Sequence, residues 1–588
     1  MRYLRMLTNA AIGGVALASY IAVLALQLNP HYSLAGLPAL LLTMTAAYGV
    51  NAAVVFYALI VLQQVLTVEP ISPGWISFRV LVWFCSAAAG TGAALMWVNW
   101  LGFAPVLDSA SGLRMLGGAV ALTVAATGML LLAIWHAWKG RPNSRIEAGL
   151  LAFLLMASLA VPMTFRGPGT PAATPVPRQS PIPTQTPVLD PAQGRVRLLL
   201  FEGASLDILA PAAADGRLPS FRRLLDTGAF LHVATIRPTQ PSTVWSAAAT
   251  GKLPSKNGIR SAATYWPVGG WDALEVLPDS CFSHTLVRFG FLKQVTHTSR
   301  DLTARAIWDI LSQQGVPAGV VNWSLTQPAP DLLGYAVSDE FDRLTASATE
   351  IEANQSVWPH GAISIASAAA VQPPAGPRLI QAAPDSAVSE QIARTCRADA
   401  AYEQMVSALE RQYPSRFQAV RFKCLDAASH YLLRYIAPNP FLDVPDEEVE
   451  RYRVALGSYY AAADAAVGRA MAGMRPGDLL IVLSGFGMDP LDVGKRLLER
   501  AFGNPVPSGT HERAPDGFML VAGAGVKPGR YARASIVDLV PTILYFFGLP
   551  VGRDMDGFAR TDIFQRAITE RKLITFIPTY ERTPTPAR

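Results

Sequence analysis

The chain has 588 residues, 51% of them hydrophobic and only 16% charged, with a formal net charge of +6. Soluble domains carry roughly 25% charged residues, so the composition excludes an ordinary soluble protein, and a mean hydropathy of +0.27 points to membrane segments. Four cysteines exclude a disulfide scaffold or a cysteine-based zinc cluster, and the lack of a dense Lys/Arg block argues against a nucleic-acid partner.

The apolar excess lies at the front. Residues 7–28 carry no charge and are long enough to cross ~30 Å of hydrocarbon as a helix. Residues 34–66, 80–103, 115–138 and 147–165 repeat that character. A transmembrane region over 1–166 with five helices is predicted, or six if Gly49 and Asn51 break the long second stretch. The first stretch has no small-residue cleavage site and is followed by further spans, which marks an anchor rather than a removed signal peptide. Trp97, Trp100, Trp135 and Trp138 near span ends suit interfacial positions. Lys139, Arg141 and Arg145 lie in the short loop before the last span and place it in the cytoplasm by the positive-inside rule. The expectation is a multi-pass protein of the cell membrane, partnered by the lipid bilayer, with its C-terminal domain extracytoplasmic. No ionisable residue lies deep in a span, which argues against an ion pathway.

Residues 167–194 read as a Pro/Thr-rich linker, with eight prolines between Pro168 and Pro191. Such a stretch cannot build a core and favours extended polyproline II, the conformation of a stalk. Beyond it the pattern becomes globular. Val196–Phe201, Ala318–Trp323, Asp478–Leu483 and Phe518–Ala522 read as buried strands, and 390–411 and 447–474 as helices. The alternation predicts, for 195–588, an α/β layered domain with a mostly parallel central sheet, whose site lies at the carboxyl ends of its strands. Residues 264–300 and 345–390 fit poorly and read as cap insertions. Cys281, Cys396 and Cys424 fall in this domain and allow one disulfide of undetermined pairing.

Few residues offer metal chemistry. Asp426 and His430 are four apart in CLDAASHYLL, a spacing that puts both on one helix face. His511 sits in SGTHERAPDG, a polar loop able to project into a cleft. A carboxylate with imidazoles suits zinc, although such a pair alone is more often a surface contact.

Order and context say more. The chain resembles the alkaline phosphatase superfamily, in its type I phosphodiesterase/nucleotide pyrophosphatase branch, over most of 195–565. LLLFEGASLDIL, IRPTQPSTVWSAAATGKLPSKNGI, LDAASH, DLLIVLSGFGM, GTHERAPDGFMLVAG and ASIVDLVPTILYFFGLPVGRDMDG carry the resemblance. It implies an alkaline-phosphatase-like fold and hydrolysis of phosphate esters with two zinc-class ions and a Thr or Ser nucleophile. Two ions clamp the attacking and leaving oxygens of an in-line displacement.

Motif by motif, the chain departs from that pattern. The family's first strand ends in Asp-Gly, and here Glu202-Gly203 stands there. Aligned on Trp245 and Thr250-Gly251, the nucleophile falls on Pro241, with Ser242 and Thr243 after it and Thr239 before. A one-residue shift would present Ser242; a hydroxyl in a helix's first turn is the blander reading. Where the family has Ser-Asp-His-Gly, this chain has Ser484-Gly485-Phe486-Gly487, with Asp489 out of register. The losses share one metal centre. Asp426, His430 and His511 would serve the other, and all three match.

The resemblance thus implies one divalent metal, zinc, with the second site lost. The expected function is a catalytically degenerate, membrane-anchored binding or scaffold domain for a phosphorylated small molecule or envelope component. The alternatives are a hydrolase working through a non-standard site with Ser242 and Glu202, and an envelope-assembly or transport component.

Overall fold

The computed structural model describes residues 2–66, 73–103, 106–139, 145–167, 194–342, 355–371, 386–436, 444–491, 494, 496 and 508–581. Residues 168–193 of the predicted 167–194 linker lie outside the described residues, as do Arg141 and two parts of the 345–390 insertion. The chain forms two compact units: the N-terminal helices together with Arg260–His297, and an α/β unit built from the remainder.

In the helical unit, five helices are long and apolar enough to cross a membrane: Arg2–Leu28, Leu34–Leu66, Phe78–Phe103, Ser109–Lys139 and Arg145–Phe165. The second runs on through Gly49, where Thr45–Gly49 forms a π-helical turn. Gly49 serves close packing rather than a break: a Cβ on the facing Gly14 would strike its carbonyl. Arg260–His297 belongs to this unit, although the 264–300 stretch reads in sequence as a cap on the α/β domain. Ala263–Pro267 and Leu292–Thr296 pair antiparallel within it. Tyr265, Leu274, Leu277 and Leu286 of this insertion share one buried cluster with Ile21 and Leu40 of the helices.

The α/β unit is organised by a sheet. We number its long strands β1 (Val196–Phe201), β2 (Ala229–Ala234), β3 (Ala318–Val321), β4 (Gly334–Val337), β5 (Phe417–Phe422), β6 (Leu479–Phe486) and β7 (Asp516–Gly523). Their spatial order is β2-β7-β6-β1-β5-β3-β4, with two-residue strands at the edges. β6, β1, β5, β3 and β4 run parallel, and β7 pairs antiparallel with β6 and β2. The fold class is therefore the expected one, with a mostly parallel central sheet. All eight residues of β6 are buried, as a strand covered on both faces requires. Helices Ser386–Gln412 and Asp446–Ala472 supply one covering layer, with Ile392, Leu409, Leu456 and Tyr460 in the core. Cys396 and Cys424 form a disulfide, and Cys85 and Cys281 are free and buried.

Candidate metal centre

The ends of β1, β5 and β6 lie along one edge of the sheet, and each delivers a side chain of interest. β1 runs straight into Glu202. β5 passes through Lys423 into helix Cys424–Leu432, which carries Asp426 in its first turn and His430 in its last. β6 ends on Phe486. Because β7 runs antiparallel, the segment entering it reaches the same edge, and that segment contains His511. The helix after β2, Pro241–Thr250, also starts beside it: His511 Nδ1 donates to the Thr239 carbonyl at 3.1 Å.

Asp426, His430 and His511 come together, each half-buried, with potential ligand atoms all within 4.8 Å of one another. His430 Nε2 lies 3.5 Å from Asp426 Oδ2, and the two imidazole centroids are 5.2 Å apart. His430 Nδ1 donates to the Gly509 carbonyl at 2.9 Å. Both rings are therefore held at Nδ1 by a backbone carbonyl and keep Nε2 available, the orientation that metal-binding histidines use. Asp426 Oδ1 is buried and has no hydrogen-bond partner among the described residues. Gly203 closes over it, and a Cβ there would sit 2.9 Å from that oxygen. A buried carboxylate with one oxygen, Oδ2, against His430 and the other, Oδ1, unpaired, beside two oriented imidazoles, fits a divalent cation.

The electrostatics agree. Burial would raise the Asp426 carboxyl, but the hydrogen bond and charge of His430, with His511 and Arg421 beyond, hold it below its ordinary value. Burial would lower His430, and the bond to Asp426 with its charge raises it instead.

Glu202 is engaged elsewhere. Its carboxylate accepts from Arg421 Nη1 at 3.0 Å, and the two side chains are only 4% and 2% exposed. Arg421 Nε donates to the Asn322 carbonyl at 2.7 Å, while Asn322 Nδ2 donates to the Arg421 carbonyl at 2.8 Å. Asp339 lies 4.0 Å from Arg421 Nη2. A guanidinium thus occupies the charge-balancing place beside Glu202. Phe486 is fully buried, its ring 5.1 Å from His511 and 6.2 Å from Trp245. The Trp323 indole N–H donates to the Trp245 carbonyl, so this side of the edge is aromatic.

Pro241 opens helix Pro241–Thr250, with Ser242 half-buried in its first turn and Thr243 buried. The Thr239 and Thr243 hydroxyls are buried with no hydrogen-bond partner among the described residues. Ser484 Oγ is within donating distance of the Phe486 carbonyl in its own turn and of the Ala204 carbonyl just beyond β1. Asp489 pairs through its backbone with Thr510.

Sequence reasoning passed over Arg421, Asn322 and Asp339. A lone arginine inside the apolar strand FQAVRF was the signal, because a charge at a strand's buried position demands a partner.

The type I phosphodiesterase / nucleotide pyrophosphatase family model matches residues 196–506, more than half of the chain. The chain belongs to this family. Its members are metal-dependent, and the Asp426, His430 and His511 cluster is a ligand set of the kind they require. Solved structures are similar to the chain at low identity. An inactive murine ectonucleotide pyrophosphatase / phosphodiesterase 5 in complex with AMP is 12% identical, covers 63% of this chain and 100% of its own, and has a TM-score of 0.37. The wild-type alkaline phosphatase PafA is 12% identical over 64% of this chain and 100% of its own, with a TM-score of 0.39. The human ectonucleotide pyrophosphatase / phosphodiesterase 5 is 13% identical over 63% and 99%, with a TM-score of 0.36. No curated protein matches the chain.

Proposed function

We propose that this family member is membrane-anchored, with its α/β domain outside the cytoplasm, and that the domain binds phosphate esters without hydrolysing them efficiently. It would hold one zinc ion on Asp426, His430 and His511. The observation that carries this reading is the buried Glu202–Arg421 pair. Coulombically, a guanidinium 3.0 Å from the carboxylate competes with a dication for the same oxygens. Gly485 and Phe486 leave no other donor where the family binds its second ion.

The ion, when bound, would supply positive charge toward a phosphoryl oxygen. The residues of the chain do the rest. The Thr239 and Gly509 carbonyls fix the tautomers of His511 and His430. Phe486 and Trp245 make the neighbouring wall apolar and exclude water there. Ser242, half-buried, follows the nucleophile position by one residue, at the start of a helix whose N-terminus favours anions. The Cys396–Cys424 disulfide supports a compartment outside the cytoplasm, because such bonds persist where thiols are not kept reduced. Lys139, which ends one apolar helix, and Arg145, which begins the next, support the same orientation.

The test is hydrolysis of a bis-aryl phosphodiester by the full chain in nanodiscs with zinc. Negligible turnover with one bound ion is expected. Robust zinc-dependent turnover that Ser242→Ala abolishes would overturn the reading and make Ser242 the nucleophile.

A further inference from the structure

Residues 260–297 interrupt the α/β domain in sequence but fold with the helices, and their docking is specific. Asn29, just beyond the first helix, accepts from the Glu275 and Val276 amides and donates to the Val276 carbonyl. Asn99, one turn from the end of its helix, donates to the Asp279 carbonyl and accepts from its amide. The Ser33 amide donates to Asp272. The insertion is therefore pinned at the level where three apolar helices end or begin.

From that level it continues along the helices. Cys281 Sγ lies 3.9 Å from the Tyr48 hydroxyl. Tyr48 is about 14 residues into the second helix, roughly 20 Å along its axis at 1.5 Å per residue. That helix has 33 residues, longer than the ~30 Å of hydrocarbon needs, so part of it projects and Tyr48 falls within the apolar zone. The segment around Cys281 thus shares the depth of the span.

The outer face of the insertion is apolar where a soluble loop would be polar. Trp271 is 76% exposed, Val268 62% and Phe282 56%. Lys293 is exposed on the same segment. Aromatic side chains beside a cation are the composition of the membrane–water interface, where rings sit at headgroup level and ammonium groups meet phosphate. The neighbouring second helix carries exposed apolar side chains of the same kind, such as Leu42 at 70% exposed, and the insertion approaches it at Gly270, where a Cβ would sit 3.6 Å from Ala39.

We infer that residues 260–297 form a lipid-immersed platform: Trp271, Val268 and Phe282 enter the headgroup and upper acyl region of the leaflet at this end of the helices. The inference rests on reading the five helices as membrane spans. Its backbone is satisfied by protein partners such as Asn29 and Asn99, as irregular chain at membrane depth must be.

Nitroxide labels in the full chain, reconstituted in liposomes of mixed neutral and anionic phospholipid, test it. Labels are placed at Trp271→Cys, Phe282→Cys, Phe153→Cys and Arg566→Cys, each with Cys85→Ala and Cys281→Ala. Collision with oxygen reports lipid, and collision with a nickel chelate reports water. The labels at 271 and 282 should behave like the one at 153, on a span, and unlike the one at 566, whose native side chain is 90% exposed on the α/β unit. A water-like label at 271 or 282 with a lipid-like label at 153 overturns the platform alone. A water-like label at 153 overturns the spans, and the platform with them. Val268→Cys repeats the measurement if a labelled aromatic position does not fold.

Discussion

Removing Arg421 tests whether it has taken over the neutralising role beside Glu202. In Arg421→Met, the Glu202 carboxylate stays buried at 4% exposure with its 3.0 Å partner gone. The Asn322 carbonyl also loses its 2.7 Å donor. Breaking one side of a buried pair costs about 3–5 kcal/mol, because the remaining charge is uncompensated. Replacing both partners, Arg421→Met with Glu202→Gln, removes that charge and should cost at least ~2 kcal/mol less than the sum of the single changes. The assay is hydrogen exchange of peptides covering 196–201 and 417–422, with the full chain in nanodiscs. At about 1.4 kcal/mol per tenfold, exchange in Arg421→Met should accelerate by roughly two to four orders of magnitude. The double variant should recover much of the protection. An acceleration below about tenfold in Arg421→Met, or additive effects in the double variant, would refute the reasoning.

Asp399 gives a pH-dependent expectation. Burial pushes its carboxyl from 3.8 up to about 7, although the Cys424 amide donates to it at 2.7 Å. The folded state then binds this proton more tightly than the unfolded chain, so its stabilising contribution is full below about pH 4 and lost as pH rises through about 7. Asp399→Asn should flatten that decline in thermal melts of the full chain; an unchanged slope would count against it. Restoring ligands by Gly485→Asp with Phe486→His should leave metal content at one ion, because a Cβ at 485 sits 2.6 Å from Val244 Cγ1 and Arg421 still holds Glu202. Adding Val244→Ala, Arg421→Met, Glu202→Asp and Pro241→Thr should be needed for a second ion and for turnover; two ions in the simple pair would be the contrary result. Reporter fusions after residue 190 should give alkaline-phosphatase activity and no cytoplasmic fluorescence; fluorescence without phosphatase activity would place the α/β domain inside.

Much of this architecture was legible in local patterns. VRLLLF reads as a buried strand and is β1 residue for residue, because a short apolar run interrupted only by Arg197 and closed by Glu202-Gly203 is too short for a helix. The Asp426/His430 spacing, with His511 in register with the family, led to the three residues that converge. What local patterns did not reveal depends on distant partners. FQAVRF carries an arginine that makes sense only beside Glu202, more than 200 residues away. AFLHVA in β2 is short and mixed, and its pairing with β7 supplies the stability that its own composition lacks. Residues 264–300 look like a cap because the helices that complete their core precede them by more than 200 positions. Gly49 suggests a break until the close approach of Gly14 explains it.

Elemental analysis of the purified full chain after zinc loading and removal of free metal tests the central claim most directly. The account predicts one ion per chain, retained in Glu202→Gln and lost in Asp426→Asn and in His511→Ala. Two ions per chain, or an ion that Glu202→Gln releases while Asp426→Asn keeps it, would contradict the account.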